Sequence, residues 1–116
     1  MRPERLYLAD IIEAADAIAG YVAGLTREAF QVDDLRRSAT VWRMIIIGEA
    51  AAHVSEGVRK RHSNVPWSDI IGLRHIAVHA YHHLDWGTVW TSATQEVPEL
   101  RSQIAAILKV EYPGPG

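Results

Sequence analysis

An arginine, four residues, a histidine, one residue and a tyrosine stand in the stretch Gly72-Leu73-Arg74-His75-Ile76-Ala77-Val78-His79-Ala80-Tyr81. A histidine titrates near neutral pH and can take a proton from a ribose 2'-hydroxyl or return one to a leaving 5'-oxygen, so His79 suits either role. Arg74 keeps its charge and offers a planar fork of donors that fits a phosphate and can stabilise the added charge of a pentacoordinate transition state. Together they suffice for cleaving an RNA phosphodiester without metal, with the 2'-hydroxyl as internal nucleophile and a 2',3'-cyclic phosphate as product. The same donors can also hold a phosphate without cutting it, because catalysis further requires a correctly placed proton acceptor. A non-catalytic binding module is therefore the alternative.

On an ideal helix five residues advance about 500°, which leaves Arg74 and His79 about 140° apart, while Arg74 and Tyr81 fall within about 20° of each other. Long side chains, a distorted helix or a second subunit must bring Arg74 and His79 together. Tyr81, taken alone, is a partly buried aromatic whose hydroxyl finds a neighbour. Five of the six histidines, His62, His75, His79, His82 and His83, lie within a short reach. The steps His75/His79 and His79/His83 have the four-residue spacing that holds zinc from one helix face. Against a metal site, there is no cysteine, no His-Glu-x-x-His pattern, and Asp85 is the only nearby carboxylate. No metal or cofactor is expected.

The elements that carry these residues read as helices throughout. Leu8, Ile11, Ile12, Ala15, Ile18 and Val22 recur at three- and four-residue steps from Glu4 to about Val22, with Gly24 at the end. Thr26 caps a short turn through Phe30, and Asp33 or Asp34 caps the next helix. The proline-free stretch from Leu35 to about Arg61 predicts one long central helix, with Leu35, Ala39, Trp42, Ile46, Ala50 and His53 marking one face. Its middle, Met44 to Ala52, is apolar nearly all round, and Gly48 allows close approach, so it needs cover on more than one side, by core and by a second subunit. Pro66 opens a helix that carries the chemistry to about His83. Asp85 caps a last helix through Val89, Trp90 and Ala93, interrupted at Pro98 and resumed through Leu100, Ile104, Ile107 and Leu108. Trp42, Trp67, Trp86 and Trp90 fall at helical spacing and read as core rather than as base-stacking groups. The fold class is all-α, an antiparallel bundle of four or five helices. Residues 1–110 form a single domain and 111–116 a flexible tail.

A chain of 116 residues suits one domain, and 48% hydrophobic with 22% charged residues suits a folded one. The formal charge of -2 excludes a surface that is positive as a whole, so any RNA contact must be local. Basic residues cluster at Arg36 and Arg37, at Arg59, Lys60 and Arg61, and around Arg74, each of which reads first as a solvated face. The absence of cysteine suits a reducing compartment, with the cytoplasm the default, and no apolar run is long enough to span a bilayer. Glu49 sits in the most apolar part of the chain, where a carboxylate is costly unless paired; Arg74 is a candidate partner, and solvent is the alternative.

The stretch around Arg74 resembles the Arg-x4-His-x-Tyr signature of the HepT-like branch of HEPN domains, in which a polar residue, here His75, follows the arginine. Relatives more often have asparagine there. Ile47-Gly48-Glu49-Ala50 looks like that family's central-helix segment, Val65-Pro66-Trp67 like its Pro-Trp helix start, Asp85 with Trp90 like its last-helix start, and Pro98-Glu99-Leu100 like its late break. The resemblance implies an HEPN-like homodimer with two copies of the motif facing a cleft across a two-fold axis. It implies Arg74 and His79 as catalytic residues of an RNA endonuclease toxin, with Glu49, His75 and Tyr81 supporting them. It also implies a nucleotidyltransferase antitoxin that silences the toxin by placing AMP on Tyr81. Under the alternative, the chain is a non-catalytic helical partner that binds a nucleotidyltransferase or a nucleotide.

Overall fold

In the computed structural model, residues 2–76 and 81–114 are described. Among them every regular element is helical: α1 (Glu4–Val22), α2 (Arg27–Gln31), α3 (Asp34–Ala52), α4 (Glu56–Arg61), α5 (Trp67–Gly72) continued by a 3-10 turn (Leu73–His75), α6 (Trp86–Thr91), a π turn (Ser92–Glu96) and α7 (Val97–Glu111). The expected all-α class is found. The long helices α1, α3 and α7 form the frame, and cross-contacts give their directions. Tyr7 near the start of α1 stacks on His53 just past the end of α3, with ring centroids 4.5 Å apart, and Tyr21 near the end of α1 meets Arg43. Asp16 of α1 pairs with Arg101 early in α7, and the Tyr112 hydroxyl donates to Glu4 at 3.1 Å. Both neighbours of α1 therefore run antiparallel to it.

Local chemistry sets the boundaries. Thr26 accepts from the Ala29 N–H at 3.1 Å, Asp33 from the Arg36 N–H at 3.0 Å, and Asp85 from the Gly87 and Thr88 N–H groups. Backbone donation by Thr88 and then by Gly87 holds the Asp85 carboxyl below its ordinary range. Gly24 ends the first turn with φ at 75°, a conformation glycine adopts without steric cost.

Two expectations are corrected and a third takes a particular form. The central helix is not continuous to Arg61. It ends at Ala52, Val54 turns into the core, and Ser55 caps α4 by accepting from the Val58 N–H at 3.3 Å. A serine that can satisfy a free N–H competes with helix continuation, and the Glu4 carboxylate stabilises the break by accepting the Ser55 N–H. Second, the core face of α3 is Val41, Met44, Ile47, Gly48 and Ala51, while of the expected stripe Ala50 is buried and Ala39 and Ile46 are half-buried but Leu35, Trp42 and His53 are exposed. Where a helix is apolar nearly all round, more than one stripe satisfies the 3.6-residue period. Third, the expected interruption and resumption around Pro98 are found, the interruption taking the form of a π turn rather than a gap in the helix. Lacking an N–H and crowding the carbonyl four residues back, the proline is accommodated by the π turn immediately before it.

The far end of α7 is clasped rather than frayed: Glu111 accepts from Arg61 at 2.7 Å and lies 2.7 Å from His62 Nε2. Hydrogen bonding from Arg61 and then His62 lowers its carboxyl from the ordinary 4.5 to about 2. A depressed carboxylate contributes stability that is present above the unfolded pKa and is lost as pH falls through the folded one. Replacing Glu111 with Gln should therefore flatten the acid limb of a circular-dichroism stability profile between about pH 4.5 and 2; an unchanged limb would show that the clasp contributes nothing.

Candidate active site on the long helix

The backbone of the Arg74 turn rests directly on α3. A Cβ at Gly48 would lie 2.5 Å from the Arg74 amide nitrogen, 2.9 Å from the Ile70 carbonyl oxygen and 3.1 Å from the Leu73 carbonyl carbon. No real side chain tolerates such distances against backbone, so glycine is required for the contact. α5 gives way to the 3-10 turn, and Ile76 leaves the helix altogether at φ -69° and ψ 76°. The expected helix from Pro66 to His83 is thus broken, and the ideal-helix angle between Arg74 and His79 does not apply across it. The tight turn presents Arg74 and His75 outward, both exposed. Among the described residues the Arg74 guanidinium has no hydrogen bond or ion pair.

His79 lies outside the described residues, as do Ala77, Val78 and Ala80. Tyr81, after them, is anchored to the same long helix: its hydroxyl is 2.5 Å from Ser38 Oγ, and either oxygen can donate. Its ring meets Trp86 edge-on at 5.3 Å. Arg37 covers the Trp86 ring at 4.5 Å and donates to the Gln31 carbonyl at 3.0 Å. α3 therefore holds the motif at both ends, with Gly48 under Arg74 and Ser38 beside Tyr81, ten residues and about 15 Å apart along the axis. Sequence reasoning missed Ser38 and took Arg37 only as part of a basic cluster, because contacts with Tyr81 and Trp86 more than forty positions away leave no periodic signal.

Glu49 does not pair with Arg74. It points to solvent, its side chain 60% exposed, and lies 3.4 Å from His53 Nε2 one turn along. The outward half of an otherwise apolar helix spares its charge the desolvation that would have demanded a cationic partner. Among the described residues no three histidine, aspartate, glutamate or cysteine side chains gather as a metal site; the proposed histidine series passes through His79 and so falls outside them.

The flanks of α5 differ in charge. One borders a cavity of about 420 Å³ with an apolar floor of Met44, Ile70 and Leu73 and with Asp69, Glu96 and Glu99 at its rim. The other borders a hollow that includes Arg59 and Lys60. The basic flank and the exposed Arg74 make this an all-helical protein with a site suited to a phosphodiester.

The comparisons agree. The family model described as "Ribonuclease HepT-like" matches residues 11–107. A "Putative RNase" of Caldanaerobacter subterraneus subsp. tengcongensis is 33% identical over 96% of this chain and 99% of its own. A "Putative RNase" of Methanocaldococcus jannaschii is 27% identical over 91% and 97%, and the "Probable ribonuclease HepT" of Thermococcus cleftensis 27% over 93% and 98%. No solved structure matches the chain. The chain belongs to the HepT-like ribonuclease family, and its enzyme class is ribonuclease. Among the described residues no helix is long and apolar enough to cross a membrane.

Gly48→Ala should cost about 1–3 kcal/mol of stability, the range for overpacking a close contact, and should lower RNA cleavage more than the fraction of unfolded protein explains. Thermal melts with cleavage assays on the folded fraction check this; equal activity per folded molecule would show that the Arg74 turn tolerates displacement.

Proposed function

We propose that this chain is a metal-independent RNA endonuclease toxin acting as a homodimer. Arg74 clamps the scissile phosphate and stabilises the charge that builds on it, while His79 moves the proton between the 2'-hydroxyl and the leaving 5'-oxygen. The observation that carries this reading is the exposed Arg74 guanidinium, held by backbone packing on Gly48 and without a carboxylate partner among the described residues. A guanidinium so placed keeps its fork of donors open to a phosphate, and the turn beneath it fixes where that fork stands. His75 stands exposed beside it, and Glu49, next to Gly48 on α3 but facing His53 rather than Arg74, can support the site only through the electrostatic field it adds.

The homodimer is supported by the outward apolar surface that begins before α3 and continues along it. Val32 is 84%, Leu35 80% and Trp42 61% exposed. A two-fold contact along this stripe would cover it and set two copies of the motif against each other. In chelator, purified wild type should cleave RNA to 2',3'-cyclic ends, Arg74→Ala and His79→Ala should lose at least about 100-fold, and Trp42→Glu should run as a monomer with little activity. Undiminished cleavage by His79→Ala, or none by wild type, would sink the catalytic reading in favour of a subunit that only binds a nucleotidyltransferase or a nucleotide.

The antitoxin in this reading is a nucleotidyltransferase that places AMP on Tyr81, and the cytoplasm is where both act. The added phosphate would set negative charge where substrate phosphate must pass, and the tyrosine would have to leave Ser38 to receive it. Tyr81→Phe should still arrest growth, with cleavage within about tenfold of wild type given the loss of one hydrogen bond, yet escape neutralisation by the nucleotidyltransferase. Mass spectrometry that finds AMP on the Phe variant places the modification elsewhere.

A further inference from the structure

We infer that the hollow between α4 and α5 is a subsite for the RNA backbone beside the scissile phosphate, an inference that rests on Arg74 as the phosphate clamp. The hollow, about 620 Å³, is lined by Arg59, Lys60 and Ser63 on one side and Trp67, Ser68 and Ile71 on the other, with Glu56 at its edge. Helical spacing ties it to the catalytic turn. Arg74 and His75 stand three and four residues beyond Ile71, one turn further along, since the chain stays helical until Ile76. From Ser68 to Arg74 the rise is about 10 Å, so a strand leaving Arg74 along this wall reaches the hollow within a short stretch of backbone.

The charges select the same side. Of the basic run Arg59-Lys60-Arg61, Arg61 is occupied by Glu111 at the end of α7. Lys60 pairs with Glu56 at 2.8 Å, but both side chains are about three-quarters exposed, and such a pair is easily exchanged for a phosphate. Arg59 has no carboxylate within ion-pair distance among the described residues, so although its Nε is buried against the protein, its terminal guanidinium nitrogens are not held by an ion pair. The hydroxyls of Ser63 and Ser68 add the neutral donors that position a nucleic-acid backbone. On the opposite flank of α5 the cavity rim carries Asp69, Glu96 and Glu99 and, among the described residues, no basic residue. An RNA strand is repelled from that flank and drawn to this one.

The test uses full-length protein and a fluorescent single-stranded RNA of about twenty nucleotides. Arg59→Ala/Lys60→Ala should raise KM about tenfold with kcat within about twofold. The slope of log kcat/KM against log salt should become shallower by about 1.4, two phosphate contacts at 0.7 each. Arg59→Lys/Lys60→Arg, which keeps both charges, should restore most of the affinity. An unchanged KM and salt slope, or a fall in kcat alone, overturns the subsite. Fluorescence anisotropy on His79→Ala protein, with and without the two alanines, separates this from the catalytic reading. About tenfold weaker RNA binding supports the hollow even if Arg74→Ala cleaves normally, and equal binding overturns it even if Arg74 proves catalytic.

Discussion

The Arg74 turn lies so close to α3 that the space beneath its amide nitrogen admits a hydrogen and nothing larger. Backbone against backbone is the most rigid support a small helical protein can give a side chain, because no rotamer intervenes between the frame and the residue that must be placed. The long helix is in turn fixed by α1, whose polar ends meet it at Tyr21 and Tyr7 and whose apolar side, Leu8, Ile11, Ala15 and Ile18, is buried. The position of a charged fork at the surface thus traces through one missing methyl to the best-packed part of the core.

A second property of α3 comes from its composition. Its middle is apolar nearly all round, and its more polar first half still leaves two large apolar residues, Leu35 and Trp42, outside the core. The same helix that seats the Arg74 turn therefore carries exposed apolar surface as well. Around α5 a different sorting operates: carboxylates gather on one flank and cations on the other. A chain with a small net negative charge can thereby offer a polyanion a local path.

Much of this was legible in the residues. The periodicity of α1, the caps at Thr26, Asp33 and Asp85, and the need for Gly48 in a close approach all appear in the sequence and in the fold, because each depends on neighbours a few positions away. What could not be read depends on partners far along the chain. The break before Ser55 needed Glu4 to accept its N–H. The true core face of α3 was chosen by where α1 packs, not by a period that two stripes satisfy equally. Glu49 looked buried because its neighbours in sequence are apolar, yet its direction on the helix is outward. Of the motif, Arg74, His75 and Tyr81 can be placed, whereas the convergence expected of Arg74 and His79 rests on the family resemblance and on chemistry.

The π turn has a bearing on how this family can change length. Val89, Ala93 and Val97 are all buried and succeed one another at two consecutive steps of four, which on a regular α-helix would share one wide face with a drift of about 40° per step. The wide turn of Ser92–Glu96 absorbs the drift, bringing Leu100, Ile104 and Ile107 onto the core side. Deleting one residue there would act less like trimming a loop than like twisting a key: the whole carboxyl-terminal helix would rotate by roughly 100° and present its apolar edge to water. Insertions and deletions among relatives should accordingly spare this segment and collect in the connections between helices.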